Sequence, residues 1–337
     1  MSTQNLLVVL NEWEKSDFLP APLWNRLEGI APNLKHLTPD DVAAKGWATI
    51  FSTYKPTVLV TGWRTPPLPS EVGLAKESGL QYLCHLPGSV RKLIPRVWIE
   101  NGLIVSNWGR SISHVVAECG LMLTIAGLRR AGYWNNAMHQ GPAWKTDTLD
   151  TQSLFGRKVG IHGFGAISRC LVKLMEPFGV EISTFSPSVS DEGLAEYGVS
   201  RCTCLEELFA ENHVVIELAP YTPENEGIVN ERLLRMIPDG GLFVNIGRGA
   251  VVDEDALIHV LRDGKIHAAL DVYTIEPLPA DSPLRTLENV LLLPHLGGPT
   301  VDQRQTAGAY GLANIERYLR GENLESIVTL DIYDRAS

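Results

Sequence analysis

The stretch Lys158-Val-Gly-Ile-His162, running directly into Gly163-Phe-Gly165-Ala-Ile-Ser168, decides the fold. The first five residues read as a buried strand. Gly163 permits a tight turn, and Gly165 lets backbone approach a pyrophosphate. The helix that then begins presents its N-terminus to that anion. Such a turn is weak by itself, since many strand-to-helix connections carry two glycines. Its surroundings strengthen it. Downstream, apolar strand runs recur at 180–184, 214–218, 242–246, 268–272 and 290–293, after the first at 159–162. Helical segments at 167–178, 205–212, 230–237 and 254–262 separate them. Strand and helix in strict turn predict a doubly wound parallel sheet that binds a dinucleotide.

Upstream, strands are expected at 6–10, 58–61 and 82–86, with helices at 39–45 and 69–78. Short, wholly apolar strands between helices indicate a second, smaller parallel sheet. Ligands bind such sheets at the carboxyl ends of the strands. Here those ends carry Gly62-Trp63-Arg64 and Pro87-Gly88-Ser89-Val90-Arg91. Residues 115–130 predict one long buried helix between domains. The Trp- and Asn-rich stretch 132–141 lacks periodicity and reads as an irregular arm suited to a subunit or domain contact. A last helix is expected over 301–320, ended by Gly321. It follows the completed nucleotide sheet, so it is expected to pack back on the first domain, leaving that domain discontinuous.

With 337 residues there is room for two cores, and a formal charge of −10 argues against nucleic acid or an anionic membrane as partner. The odd count of five cysteines excludes a disulfide framework and fits a reducing, cytoplasmic compartment. The Cys202/Cys204 spacing is not that of a zinc knuckle, so no metal is expected. The apolar run 6–10 is too short and too quickly followed by Glu12 and Glu14 to be a signal peptide, and 115–128 is too short for a membrane span.

Three polar residues stand at the expected carboxyl edge of the second sheet. Arg248 lies between Gly247 and Gly249, a placement that exposes its guanidinium to a substrate carboxylate. His295 ends the apolar run 291–294, and Glu276 ends the segment before it. A carboxylate bonded to an imidazole favours the charged ring and fixes its tautomer, which makes His295 a proton donor to a carbonyl and, in reverse, a base. His162, His259 and His267 read as structural. At the end of the second strand, where an acid usually holds the ribose 2′-hydroxyl of NAD, the chain has Ser186. The missing acid admits NADP. No Arg or Lys follows within several residues to grip a 2′-phosphate, so NAD and NADP both stay open.

These residues resemble the D-isomer-specific 2-hydroxyacid dehydrogenase family. The resemblance rests on Asn245-Ile-Gly-Arg-Gly-Ala-Val-Val-Asp253, Leu270-Asp-Val-Tyr-Thr-Ile-Glu-Pro-Leu278 and Pro294-His-Leu-Gly-Gly298. It covers 107–298 closely and the N-terminal part more loosely. It implies that Arg248 binds the substrate carboxylate, that His295 is the acid/base, and that Glu276 tunes it. It also implies a Rossmann-type nucleotide-binding domain, 108–298, inserted into a smaller flavodoxin-like α/β substrate domain formed by 1–107 and 299–337, with the active site in the cleft and a homodimer in solution. Cofactor contacts are implied for Gly163, Gly165, Ala166, Ile167, Ser186, Pro220, Thr222, Ile246, Gly247, Asp271, Gly297 and Gly298. The N–H groups of Gly88, Ser89 and Val90 are implied to face the substrate carboxylate. The chain departs from the pattern at Ser168, at Ser186 and in the loop 85–91. That loop, with Trp63, Arg64 and Trp108, points to a bulkier or doubly anionic substrate. Formate dehydrogenase is disfavoured because Glu276 stands where that enzyme would have Gln, and no Gly-x-Ser-x-Gly elbow supports a hydrolase. The different-class alternative is a nucleotide-sensing dimeric binding protein on the same fold.

Overall fold

A computed structural model describes residues 4–70, 78–145 and 150–335. The chain divides into two compact units, Met1–Ile112 with Pro299–Ser337, and Ser113–Gly298.

Among its described residues the first unit holds five parallel strands: β1 (Leu6–Val9), β2 (Lys35–Leu37), β3 (Val58–Thr61), β4 (Tyr82–His85) and β5 (Ile104–Ser106). Their order is β2-β1-β3-β4-β5, the flavodoxin-like arrangement. Every residue of β1, β3 and β4 is buried, as befits a parallel sheet covered on both faces. The edge strands β2 and β5 are three residues long and partly exposed, too brief to leave a periodic signal. The helix Glu12–Phe18 also escapes a reading of apolar runs, but its N-terminus is marked. Asn11 Oδ1 accepts the Glu14 N–H at 2.9 Å, and the Glu14 carboxylate accepts the Asn11 N–H. The expected helix 39–45 forms as Pro39–Lys45, capped by Thr38. Most of the expected helix 69–78 lies outside the described residues.

The last long helix spans Arg304–Arg320, after a single 3₁₀ turn, and ends at Gly321 in the left-handed region (φ 71°). It packs on Glu12–Phe18, on Ala21–Ile30 and on β4. Arg26 grips Glu316 with two hydrogen bonds, the longer 2.6 Å. The C-terminal segment therefore belongs to the first unit.

Among its described residues the second unit holds seven parallel strands: β6 (Lys158–His162), β7 (Glu181–Phe185), β8 (Ser200–Arg201), β9 (Val214–Glu217), β10 (Leu242–Asn245), β11 (His267–Leu270) and β12 (Val290–Leu292). Their order, β12-β11-β10-β9-β6-β7-β8, reverses between β6 and β9. That reversal is where a doubly wound sheet opens a crevice at its carboxyl edge. β8 has only two residues and went unread in the sequence.

The helix Ser113–Leu128 belongs to this unit, lying on β10, β11 and the helix Ala166–Met175. The stretch read as an irregular arm is instead helical, Ala131–Gln140. It starts after Arg130, which turns the chain at φ 52°, and none of its residues is fully buried. A helix with no buried stripe has no apolar period to read.

Gly308 tests the packing of the C-terminal helix. A methyl group there would overlap the Phe18 carbonyl. Gly308→Ala should destabilise the protein by about 1–3 kcal/mol or more in urea unfolding. Gly29→Ala, where the added carbon meets nothing within 4 Å, should be neutral or stabilising by up to about 1 kcal/mol. Equal stability of the two variants would contradict this packing.

Candidate active site

The loops leaving β6, β9, β10, β11 and β12 all emerge at one edge of the second sheet, because every strand is parallel. After β6 the chain turns at Gly163 (φ 87°). A Cβ there would lie 2.9 Å from the Ala219 Cα, so the turn touches the backbone of the next loop. Gly165 is different. A Cβ there would meet no protein atom within 4 Å, and the helix Ala166–Met175 that it opens has no side-chain cap. Open space over uncapped N–H groups is what a pyrophosphate requires.

Ser168 replaces the third glycine of the fingerprint without loosening the packing. It is buried, and its hydroxyl donates to the Gly163 carbonyl at 2.9 Å. Ser186 is also buried, directly after β7. A cation does reach this loop, brought by strand pairing rather than by proximity in sequence. Arg201, on β8, donates to the Ser186 carbonyl at 3.2 Å, bonds the Val189 carbonyl, and pairs with Asp191. Pro220 and Thr222 lie in the loop after β9, held by Asn225, whose side chain accepts the Thr222 N–H and donates to the Pro220 carbonyl.

Arg248 stands three residues beyond β10, at the position expected. The flanking glycines serve close packing more than exposure. A Cβ on Gly249 would overlap the Tyr273 carbonyl, and one on Gly247 would lie 3.0 Å from the Glu217 carbonyl oxygen. Burial pulls the guanidinium below its usual pKa, and the charge of Glu276 opposes that pull. Arg248 Nη1 donates to the Gly247 carbonyl at 2.7 Å. Ile246 is buried and faces Gly120 of the helix Ser113–Leu128.

Glu276 and His295 come together as expected. His295 Nδ1 lies 2.7 Å from Glu276 Oε2. The other carboxylate oxygen, Oε1, accepts the Tyr273 N–H at 3.1 Å. Tyr273 in turn donates its hydroxyl to the carbonyls of Leu293 and Leu270. His295 itself has φ 55°, and its N–H donates to the Asp271 carbonyl. The imidazole is half exposed, so the nitrogen that does not face Glu276, Nε2, is available at the edge.

Asp271 is buried. Its two carboxylate oxygens accept the N–H groups of Leu296 and Gly297 at 2.6 and 2.8 Å. It thereby fixes the loop that carries His295 and leads to Gly298. The Cys119 thiol nearby is pushed up to about 11, first by burial and then by the charges of Asp271 and Glu118. A thiol so placed stays protonated at neutral pH.

One pair at this edge was missed. His162, read as packing, is buried with Nδ1 2.6 Å from Glu217 Oε2. Glu217 closes the otherwise apolar run Val214-Val-Ile-Glu. An acid ending a wholly buried strand was the available signal.

In the first unit, Gly88 sits against the Trp108 indole, and its carbonyl accepts from Asn107 Nδ2 at 2.7 Å. Val90 is buried, and Arg91 draws its N–H onto the Ser89 hydroxyl. Trp63 lies edge-on to Trp108 and stacks on Trp13, at ring separations of 5.9 and 6.1 Å. Burial drives the His85 pKa down to about 3, against a backbone hydrogen bond from Ser89, so this ring is neutral. Among the described residues no His, Cys, Asp and Glu side chains group as a metal site, and no helix is long and apolar enough to cross a membrane.

Residues 121–297 match the D-isomer specific 2-hydroxyacid dehydrogenase, NAD binding domain. The chain is 30% identical over 297 residues to the glyoxylate reductase/hydroxypyruvate reductase of Homo sapiens, covering 78% of this chain and 88% of that one. The chain belongs to the D-isomer specific 2-hydroxyacid dehydrogenase family. It is also 32% identical over 232 residues to the D-3-phosphoglycerate dehydrogenase of Methanocaldococcus jannaschii, with 68% of this chain matched to 44% of that protein. The matched part thus spans less than half the length of that relative. The fold is shared with a glyoxylate reductase from Paecilomyes thermophila (TM-score 0.80, 23% identity, 97% of this chain and 99% of that one). It is shared as well with a D-isomer specific 2-hydroxyacid dehydrogenase from Lactobacillus delbrueckii ssp. bulgaricus in its NAD-complexed form (TM-score 0.79, 19% identity, 97% and 100%).

Asp271→Ala would leave two N–H groups in the His295 loop without their acceptor. It should cost about 1–3 kcal/mol in urea unfolding, with Asp271→Asn costing less. An Asp271→Ala protein as stable as the parent would contradict this bracing role.

Proposed function

We propose that this protein transfers a hydride between a nicotinamide dinucleotide and a 2-oxo acid/D-2-hydroxy acid. The observation that carries the reading is the Glu276–His295 pair, set at the same sheet edge as Arg248 and the open glycine turn. NAD or NADP, when bound at that turn, supplies or accepts the hydride.

The roles of the protein groups follow from their placement. Arg248 is a half-buried cation of fixed charge, suited to a substrate carboxylate and to polarising the adjacent carbonyl. His295 offers Nε2, because Nδ1 is committed to Glu276. With the Nδ1–H donating to Glu276, Nε2 gives its proton to the carbonyl oxygen in reduction and takes one from the hydroxyl in oxidation. Glu276 holds the ring's orientation, supports its positive charge, and is itself held by the Tyr273 N–H. Asp271, Gly297 and Gly298 keep the loop after β12 in place beside the nicotinamide, while Ile246, Gly247, Pro220 and Thr222 border the dinucleotide. Gly163, Gly165, Ala166 and Ile167 meet its pyrophosphate. Residues 108–298 form the nucleotide-binding domain in this reading. Residues 1–107 and 299–337 form the substrate domain, with Gly88, Ser89 and Val90 offered to the substrate carboxylate.

No acid stands at Ser186 to repel a 2′-phosphate, and the arginine that reaches this loop, Arg201 on β8, has its charge met by Asp191. Both nucleotides are therefore expected to bind. Exposed Met122, Met138 and Trp144 support a homodimer contact through the second unit. Five unpaired cysteines support a reducing, cytoplasmic setting. The indoles of Trp13, Trp63 and Trp108 support a substrate bulkier than glyoxylate.

His295→Gln should lower turnover by about 10²–10⁴-fold while nucleotide affinity holds. Arg248→Ala should lower kcat and raise KM together, since it removes both a ground-state contact and a transition-state charge. Steady-state kinetics with NADH, paired with nucleotide titration, separates these outcomes. Near-normal turnover by His295→Gln would refute the acid/base assignment.

A further inference from the structure

The buried pair His162–Glu217 takes no part in the chemistry above, yet it stands where the order of the sheet reverses. The two residues are directly opposite each other on β6 and β9, the strands between which the sheet order reverses. Each is the last residue of its strand. The glycine turn follows His162 immediately, and residues 218–222 follow Glu217.

The pair ties these two loops together. Glu217 Oε2 meets His162 Nδ1 at 2.6 Å, and Oε1 accepts the Ala219 N–H at 2.7 Å. The Leu218 N–H donates to the His162 carbonyl at 3.0 Å. Ala219 is the residue whose Cα would lie 2.9 Å from a Cβ on Gly163. One carboxylate therefore sets the spacing between the glycine turn and the loop that faces it.

We propose that His162 and Glu217 are positioning residues for the dinucleotide, which binds tightly only while the pair is net neutral, with His162 protonated. This rests on the reading that the turn 163–168 holds the pyrophosphate. Burial disfavours the imidazolium, but the charge of Glu217 and its hydrogen bond prevail and raise the His162 pKa above its usual value. The ring therefore keeps its proton to higher pH than an ordinary imidazole does. When the pair loses that proton it is left with one unbalanced negative charge in a buried site. That charge lies beneath a ligand carrying two phosphate charges, and it repels them at short range through a poorly screening interior.

The surrounding elements leave Glu217 as the controlling partner. β7 presents the Phe185 ring, 6.0 Å from the imidazole and uncharged. The helix Leu205–Glu211, which also packs on β6, carries Glu206, Glu207 and Glu211. Arg232 holds Glu206, Thr203 holds Glu207, and Glu211 is exposed.

The test is NADH binding to the whole protein, followed by fluorescence across neutral to alkaline pH, with no substrate present. The parent should bind about tenfold more weakly at the alkaline end, as a single-proton transition, the scale expected for one unscreened charge near the pyrophosphate. Glu217→Gln keeps the shape, leaves His162 neutral throughout, and should bind with a Kd that is flat to within about twofold. If that variant does not fold, the double variant His162→Val/Glu217→Leu replaces the pair by apolar groups and should be equally flat. A parent Kd independent of pH would overturn the proposal. So would a foldable variant that kept the parent's slope, which would place the titration elsewhere. Failure of the parent to bind NADH at any pH would remove the nucleotide site itself, and the brace with it.

Discussion

Backbone-to-backbone contact at the carboxyl edge of the second sheet is the constraint on which the rest depends. Gly163 presses on Ala219, Gly247 on the Glu217 carbonyl, and Gly249 on the Tyr273 carbonyl. A side chain at any of these positions would push apart two loops that leave neighbouring strands. With the loops in contact, short hydrogen bonds suffice to fix the functional groups. Tyr273 holds Glu276 through its N–H and the end of β12 through its hydroxyl. Asp271 holds the N–H groups that follow His295. The imidazole is thus located by a chain of contacts that starts at glycines on β10's loop, two strands away in the sheet.

The same edge concentrates charge. The His162–Glu217 pair is buried there and Arg248 is half-buried, where each interaction is stronger than in water and each unpaired charge costs more. Glu276 is shared in effect between His295, which it faces directly, and Arg248, which its charge supports. In the proposed function an anionic substrate and an anionic nucleotide share this edge. Close control of the local balance of charge is the expected consequence.

Much of this was legible in the sequence because parallel strands buried on both faces leave continuous apolar runs. β1, β3, β4 and six of the seven strands in the second sheet were located within a residue or two. Glu276 and His295 were legible for a related reason, since polar residues stand out at the ends of such runs. What escaped was short or half exposed. β2, β5 and β8 have three residues or fewer, and the helix Ala131–Gln140 buries no stripe. Arg201 escaped because it reaches Ser186 across a strand pair rather than along the chain. Glu217 escaped because its partner lies 55 residues away, visible only once β6 and β9 are seen as neighbours. The glycines around Arg248 were located, but their purpose was not, because a close approach is a property of the partner loop.

Oxidation of NADH and of NADPH by the purified protein, against glyoxylate, hydroxypyruvate, pyruvate, phenylpyruvate and 2-oxoglutarate, tests the central claim most directly. The account predicts loss of nicotinamide absorbance with at least one of these acids, and with both nucleotides. Tight nucleotide binding with no turnover of any of them would contradict it, and would favour a protein that senses the nucleotide over one that reacts with it.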